Sequence, residues 1–479
     1  MNKRDMSIKN LSIVSFGTVF LCTLFLISVG AGCAREQENN KTVKHQPNPL
    51  PVPLPPNANL LVTIPDSDYK PPKAIPGHGP DPAAGEHDPH QVTFNESGSA
   101  VAYVAILGGK FQVVHNLNRG KEYVAVSTIV FSPDGKRVAY PAAGSDGKWR
   151  MVIDGKEDMP FDTLLPPRFS SDSRHVAYQA KNADKWFIVV DNTPNEGTIA
   201  SYIEPEFSSD SKIVAYVEAA ASNDKMRLII SDLKFNKIKQ IWSIGDLFSV
   251  TSKNKTRIAA DNVVGTKHRI IDFRFATHDA IHEGRQYDLI EKLTVSDDGK
   301  SLAYCVVKGE KRLIVFDGRE EPLPDGRLRE IPVIRPDRKG VGILFVTIDS
   351  HFFLHQSFFN RSEKGKIYNE AFNLTYSKDG SYAYEAKTGN NWFVVVNGTE
   401  GPAFERIYSP QFSPDGKLVV YRAKMKDKRL VVVSERSGKT IRQYPSYDQV
   451  FDAKFTDDGK SVTYGVKDGN RLAWIVEKL

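Results

Sequence analysis

Cysteine is nearly absent: Cys22, Cys33 and Cys305 are the only three among 479 residues. A disulfide framework and a thiolate zinc site both need more sulfur than that, and Cys305 is the single thiol beyond the amino-terminal stretch. No block of five or six like charges occurs, so the formal charge of +6 is spread thinly and gives little reason to expect nucleic acid. Catalytic signatures are missing too. There is no G-x-S-x-G elbow and no G-x-x-x-x-G-K phosphate loop, and the nearest dinucleotide pattern, Gly77-His78-Gly79, meets Pro82 where a third glycine belongs. His282-Glu283 has Gln286 where a metalloprotease helix places its second histidine. His278 with His282, and His351 with His355, are four apart, about 13 Å along a strand, too far to share one metal. His87 and His90 stand in a proline-rich stretch and read as weak metal contacts at most. No cofactor is expected.

What is present is ordinary globular composition, 40% hydrophobic and 25% charged, behind an unusual amino terminus. Lys3, Arg4 and Lys9 precede an uncharged apolar run over residues 11–32 that closes in Gly30-Ala31-Gly32 before Cys33. A basic stub before an apolar run is what an export signal needs, because the cations stay behind while the run enters the bilayer. Residues 1–32 are therefore read as a signal peptide, and Cys33 as the acylated first residue of an exported lipoprotein facing the periplasm or the cell exterior. Gly30 departs from the apolar residue usual three before such a cysteine, and a retained span of 22 residues is the rival reading. Cleavage would remove three basic charges and Asp5, taking the formal +6 to +4.

Residues 33–90 are dense in proline, which blocks ladder hydrogen bonds and favours an extended spacer, so they read as a disordered tether. The run 59–64, NLLVTI, is the exception and can be a strand.

From residue 91 the chain repeats. FSPDGKRVAY from Phe131, FSSDSRHVAY from Phe169, FSSDSKIVAY from Phe207, VSDDGKSLAY from Val295, FSPDGKLVVY from Phe412 and FTDDGKSVTY from Phe455 are the clear copies, joined by FNESGSAVAY (Phe94) and YSKDGSYAY (Tyr376). Each leads through a polar turn to a β-branched run such as FIVVDN or FVVVNG. The Asp-Gly turn and the alternating VAYxA make a hairpin. The apolar run is covered on both faces. A variable segment, AFERIYSP in one copy, is expected to return as the fourth strand. Spacing places two degenerate copies at Thr251 and Ile334, so ten anchors span 361 residues at a mean near 40. A 40-residue unit of four short strands that cannot bury its faces alone is a propeller blade.

The repeat resembles that of the TolB-like, WD-repeat-like propeller proteins, over residues 91–479. The resemblance implies an all-β β-propeller, and the anchors make it about ten four-stranded blades, in one large ring or two smaller ones, or fewer blades with irregular insertions. The last copy ends at its third strand, and the run 59–64 can complete it.

Function is legible by class only. A lysine recurs at one turn of nearly every copy (Lys110, Lys148, Lys185, Lys225, Lys267, Lys311 and Lys428), a rim for an anionic partner or simple turn chemistry beside Asp184, Asp224, Glu310 and Asp427. Trp149, Trp186 and Trp392 share one position, which argues for packing between blades. The degenerate copies, 251–282 and 334–369, free Arg269, Arg274, Arg285, His351 and Arg361 for other roles. The preferred expectation is a non-catalytic scaffold, membrane-bound through Cys33, that binds a protein or envelope-polymer partner and no nucleic acid. The alternatives are a hydrolase of glycans or esters using funnel carboxylates, and a small-ligand sensor.

Overall fold

The S-x-D-G turn folds as a local hydrogen-bond unit. In one copy Ser132 Oγ donates to Asp134 Oδ1 at 2.6 Å, the same oxygen accepts from the Lys136 amide at 3.1 Å, and the Arg137 amide reaches back to Ser132 Oγ at 3.0 Å. The last turn position needs positive φ, supplied by Gly135 at 70° and, where the sequence has no glycine, by Ser173 at 65° and Ser211 at 62°. Only that residue is left-handed. Turns between third and fourth strands, as at Asp154-Gly155 and Asn397-Gly398, have two successive positive φ values, where I′ geometry matches the strand twist.

In the computed structural model the described residues are 54–65, 68, 91–195, 204–219, 226–244, 250–275, 281–347, 349–358 and 361–479. The chain divides into residues 1–50 and 51–479, and every described residue belongs to the second unit. The export run 11–32, Cys33, Lys225, His278 and most of the tether lie outside the described residues.

The strands form antiparallel sheets, one for each of eight blades (93–119, 125–161, 163–194, 289–322, 327–364, 370–400, 406–443 and 449–478) plus one double sheet. The double sheet joins 206–244 to 250–283 through a single pair, Ile244 with Asn262, so it counts as two blades and the total is ten. Both degenerate copies are blades, the fifth and the seventh in chain order.

Ten hydrophobic clusters hold the blades together, each shared by two successive blades. The tenth cluster closes the cycle, with Val62, Ile64 and Leu472 of blade ten packed on Val101, Tyr103, Ala105 and Val114 of blade one. The arrangement is one ring of ten, above the usual four to eight blades. Its seam is sealed by strand Ala58–Thr63, which pairs antiparallel with Arg471–Lys478, Ala58 opposite Ile475 and Thr63 opposite Arg471. The propeller thus draws its closing strand from within the proline-rich segment 33–90.

One expectation is corrected. AFERIYSP does not return as a fourth strand: Phe404 makes an isolated bridge to Trp392, and Arg406–Phe412 is the first strand of the next blade. The fourth strand of blade eight is only Thr399–Glu400. First strands of neighbouring blades touch, as Glu370–Tyr376 does with Arg406–Phe412, which puts first strands on the inner side and fourth strands at the rim.

Candidate functional site

Antiparallel order places every second-to-third turn and every fourth-to-first connection at the same end of its blade, and the lysines lie at that end. Most described members are neutralised in place. Lys110 pairs with Glu122 at 2.9 Å, Lys148 with Asp162 at 2.5 Å, Lys267 with Asp288, and Lys428 with Asp448 at 2.6 Å. The acids also hold the turns, because Asp162, Asp288 and Asp448 each accept from a turn amide, of Ala183, Gly309 and Gly469, at 2.6 Å. The Lys148 ammonium beside Asp162, and Lys267 beside Asp288, keep both carboxyls below the usual range. Lys185 and Lys311 have no carboxylate partner among the described residues. Among the described lysines the geometry is that of turn chemistry with two unpaired cations.

The other singled-out residues are scattered. Trp186 and Trp392 are buried between blades and Trp149 is half-buried there. Arg269 donates to Asn262, Arg285 to Glu320, and Arg361 stacks on Phe358. His351 sits 3.1 Å from Asp349, whereas His355 is buried and burial pushes its pKa down. Among the described residues no group of His, Cys, Asp and Glu is arranged to hold a metal ion.

The structure does bring together a group that sequence reasoning missed. Between blades seven, eight and nine, from the inner first strands to the starts of the third strands, guanidinium groups and aromatic rings alternate. The Arg329 Cζ lies 6.0 Å from the Phe352 ring centre and 5.0 Å from that of Phe372. Arg406 is next in the series, 5.7 Å from Phe372, 3.7 Å from Trp392 and 5.4 Å from Tyr408. Arg422 completes it, 5.7 Å from Tyr408. Stacking fixes each guanidinium plane. Arg422 donates to the Val450 carbonyl at 3.1 Å and Arg406 faces Glu385 at 3.4 Å, which leaves Arg329 the most open of the three.

Two glutamates lie under this ladder, and the backbone explains both. The first strands of blades eight and nine bulge after Phe372 and Tyr408, leaving Asn373 at φ 55° and Ser409 at φ 49°. Bulged amides lose their ladder partners. Glu330 accepts from the Asn373 amide at 3.3 Å. Glu385 Oε1 accepts from Asn373 Nδ2 at 2.6 Å and from the Ser409 amide at 2.7 Å, and its other oxygen is 3.4 Å from Arg406. Burial raises the pKa of both acids. Glu385 is wholly enclosed, at 0% exposure, so no substrate reaches it. The carboxylate pair is a backbone support.

No protein-family model matches the chain, and no curated protein sequence does. Solved structures to which it is similar include a eukaryotic initiation factor, at 12% identity over 71% of this chain and 94% of that one, with a TM-score of 0.44. The β-propeller domain of the Trilobed protease from Pyrococcus furiosus shares 12% identity over 59% and 96%, with a TM-score of 0.34. An oligogalacturonate lyase from Vibrio parahaemolyticus shares 13% over 66% and 97%, with a TM-score of 0.32. Likeness at this level passes no activity, substrate or partner to this chain.

Proposed function

We propose that this chain is a non-catalytic, exported propeller of the TolB-like lipoprotein type, anchored through an acylated Cys33, that holds a protein or envelope-polymer partner against its inner wall. The observation that carries the reading is the Arg329–Phe372–Arg406–Trp392 ladder, with donors on the inner side and the nearby glutamates committed to backbone amides. Specific propeller function resides in such local constellations and not in the fold. The hydrolase reading needs two carboxyls that both reach one bond. Enclosure of Glu385 removes one of them.

Affinity capture from solubilised membranes tests the reading, comparing intact protein, Cys33→Ala and the double variant Arg329→Gln/Arg406→Gln. A defined partner should be recovered with the intact protein, lost from the membrane fraction with Cys33→Ala, and released by the double variant. Hydrolysis of glycans or esters that disappears in Glu330→Gln would overturn it.

A further inference from the structure

Granted the binding role proposed for the inner wall, on which the identity of the ligand rests, the ladder narrows the chemistry of that ligand. Arg329 is exposed, and among the described residues no carboxylate lies within ion-pair distance of it. Arg406 and Arg422 reach carboxylates only at 3.4 and 3.8 Å, the second being Asp452, which is 94% exposed on blade ten. Arg422 also donates to the Val450 carbonyl at 3.1 Å, so the open edges are those of Arg329 and Arg406, donors for a planar, bidentate acceptor, which is a carboxylate. The aromatic faces are not available as platforms for sugar rings. Trp392 is 5% exposed and Arg406 already covers it.

Geometry then favours an extended chain. Arg329 and Arg406 lie 5.0 and 5.7 Å from the same Phe372 centroid, so their Cζ atoms are at most 10.7 Å apart. Side chains on alternate residues of an extended peptide stand about 6.7 Å apart on one face, within reach of both guanidiniums. The first strands of blades eight and nine, seven residues each, are sheet edges, so part of their backbone faces inward without a partner strand. Two residues from Arg329, Ile331 is 51% exposed and offers an apolar contact near that charge.

We infer that this wall binds an extended acidic segment of a partner protein, with carboxylates on alternate residues set against Arg329 and Arg406. Full-length protein in detergent, titrated against a fluorescent octapeptide of alternating Asp and Thr, tests it by anisotropy. The Asp peptide should bind and weaken steeply with salt. A peptide with Asn for Asp should not bind. Arg329→Gln and Arg406→Gln should each cost about tenfold or more in affinity, the scale of a charge-assisted hydrogen bond. Arg406→Lys, which keeps the charge and loses the stacked fork, should recover only part. Unchanged melting temperatures in these variants show that the ring is intact.

Equal binding of the Asn peptide, or of the Arg variants, overturns the inference. So does carboxymethyl dextran binding with the same arginine dependence while the peptide does not, because the ligand is then a polysaccharide. Membrane capture of a partner that ignores both arginines leaves the binding function standing and removes the ladder from it. Failure of both capture and peptide binding removes both.

Discussion

Deleting residues 58–66 should open the ring, and the size of the effect can be worked from what that segment touches. Leu54 and Ala58 pack on the cluster between blades nine and ten, while Val62 and Ile64, each 3% exposed, fill the seam with blade one. Just beyond, Asp68 is fully buried, accepts from Tyr103 Oη at 2.9 Å and pairs with Arg119. Burying two such aliphatic side chains is worth about 1.5–3 kcal/mol each. The Asp68 pair adds roughly 1–2 kcal/mol, well under the 3–5 of an enclosed pair because Arg119 is 38% exposed. The latch therefore contributes about 5 kcal/mol. At ~2.1 cal/mol/K per residue over roughly 390 residues, that corresponds to a fall in melting temperature of about 6 °C, read by near-ultraviolet circular dichroism. Hydrogen exchange should also rise over 471–478, whose outer edge loses its partner, and a synthetic peptide of residues 54–68 should restore both. An unchanged melting temperature with unchanged exchange would refute the reasoning.

The same physics gives three further outcomes. Gly98→Ala, at φ 68°, would drive a methyl onto the Trp474 ring at the seam, and should destabilise by about 2 kcal/mol or more in urea titration. Glu385 has a folded pKa raised by burial, so its contribution is complete below its unfolded value and is lost as pH rises through the folded one. Glu385→Gln, which keeps an acceptor for Ser409, should abolish that loss, so that stability at pH 7 relative to pH 4 should be higher in the variant than in the parent, whose other carboxylates, such as Asp162 and Asp288, carry the opposite slope. Cys305 is fully buried and burial pushes its thiol pKa up, so a thiol reagent should titrate it only after denaturation.

The ring was legible because each conspicuous residue of the repeat does a local job that the sequence displays. Ser and Asp of S-x-D-G tie their own turn, and Ser173 Oγ also accepts from the Asp134 amide of the preceding blade at 3.0 Å. The tyrosine of VAY is buried edge-on against an aromatic just ahead of its blade, as Tyr140 is with Tyr123 and Tyr304 with Tyr287. The β-branched runs, Val394–Val395–Val396 among them, are buried as covered strands must be. The shortest fourth strands were not legible, since two residues such as Thr399 and Glu400 carry no periodicity. The ladder was hidden for another reason. Arg329, Phe372, Arg406 and Arg422 come from three blades, the first three from positions outside the shared motif and Arg422 from its variable x position in VAYxA, and only the ring brings them together. The repeated aromatic at Trp392 was visible; the arginine stacked on it was not.

End-on images of the purified protein by electron microscopy test the account most directly, by counting blades. Ten in one unbroken ring, reduced to an open arc when residues 58–66 are removed, is the result expected. Two smaller rings, or a closed circle that survives that removal, would contradict it.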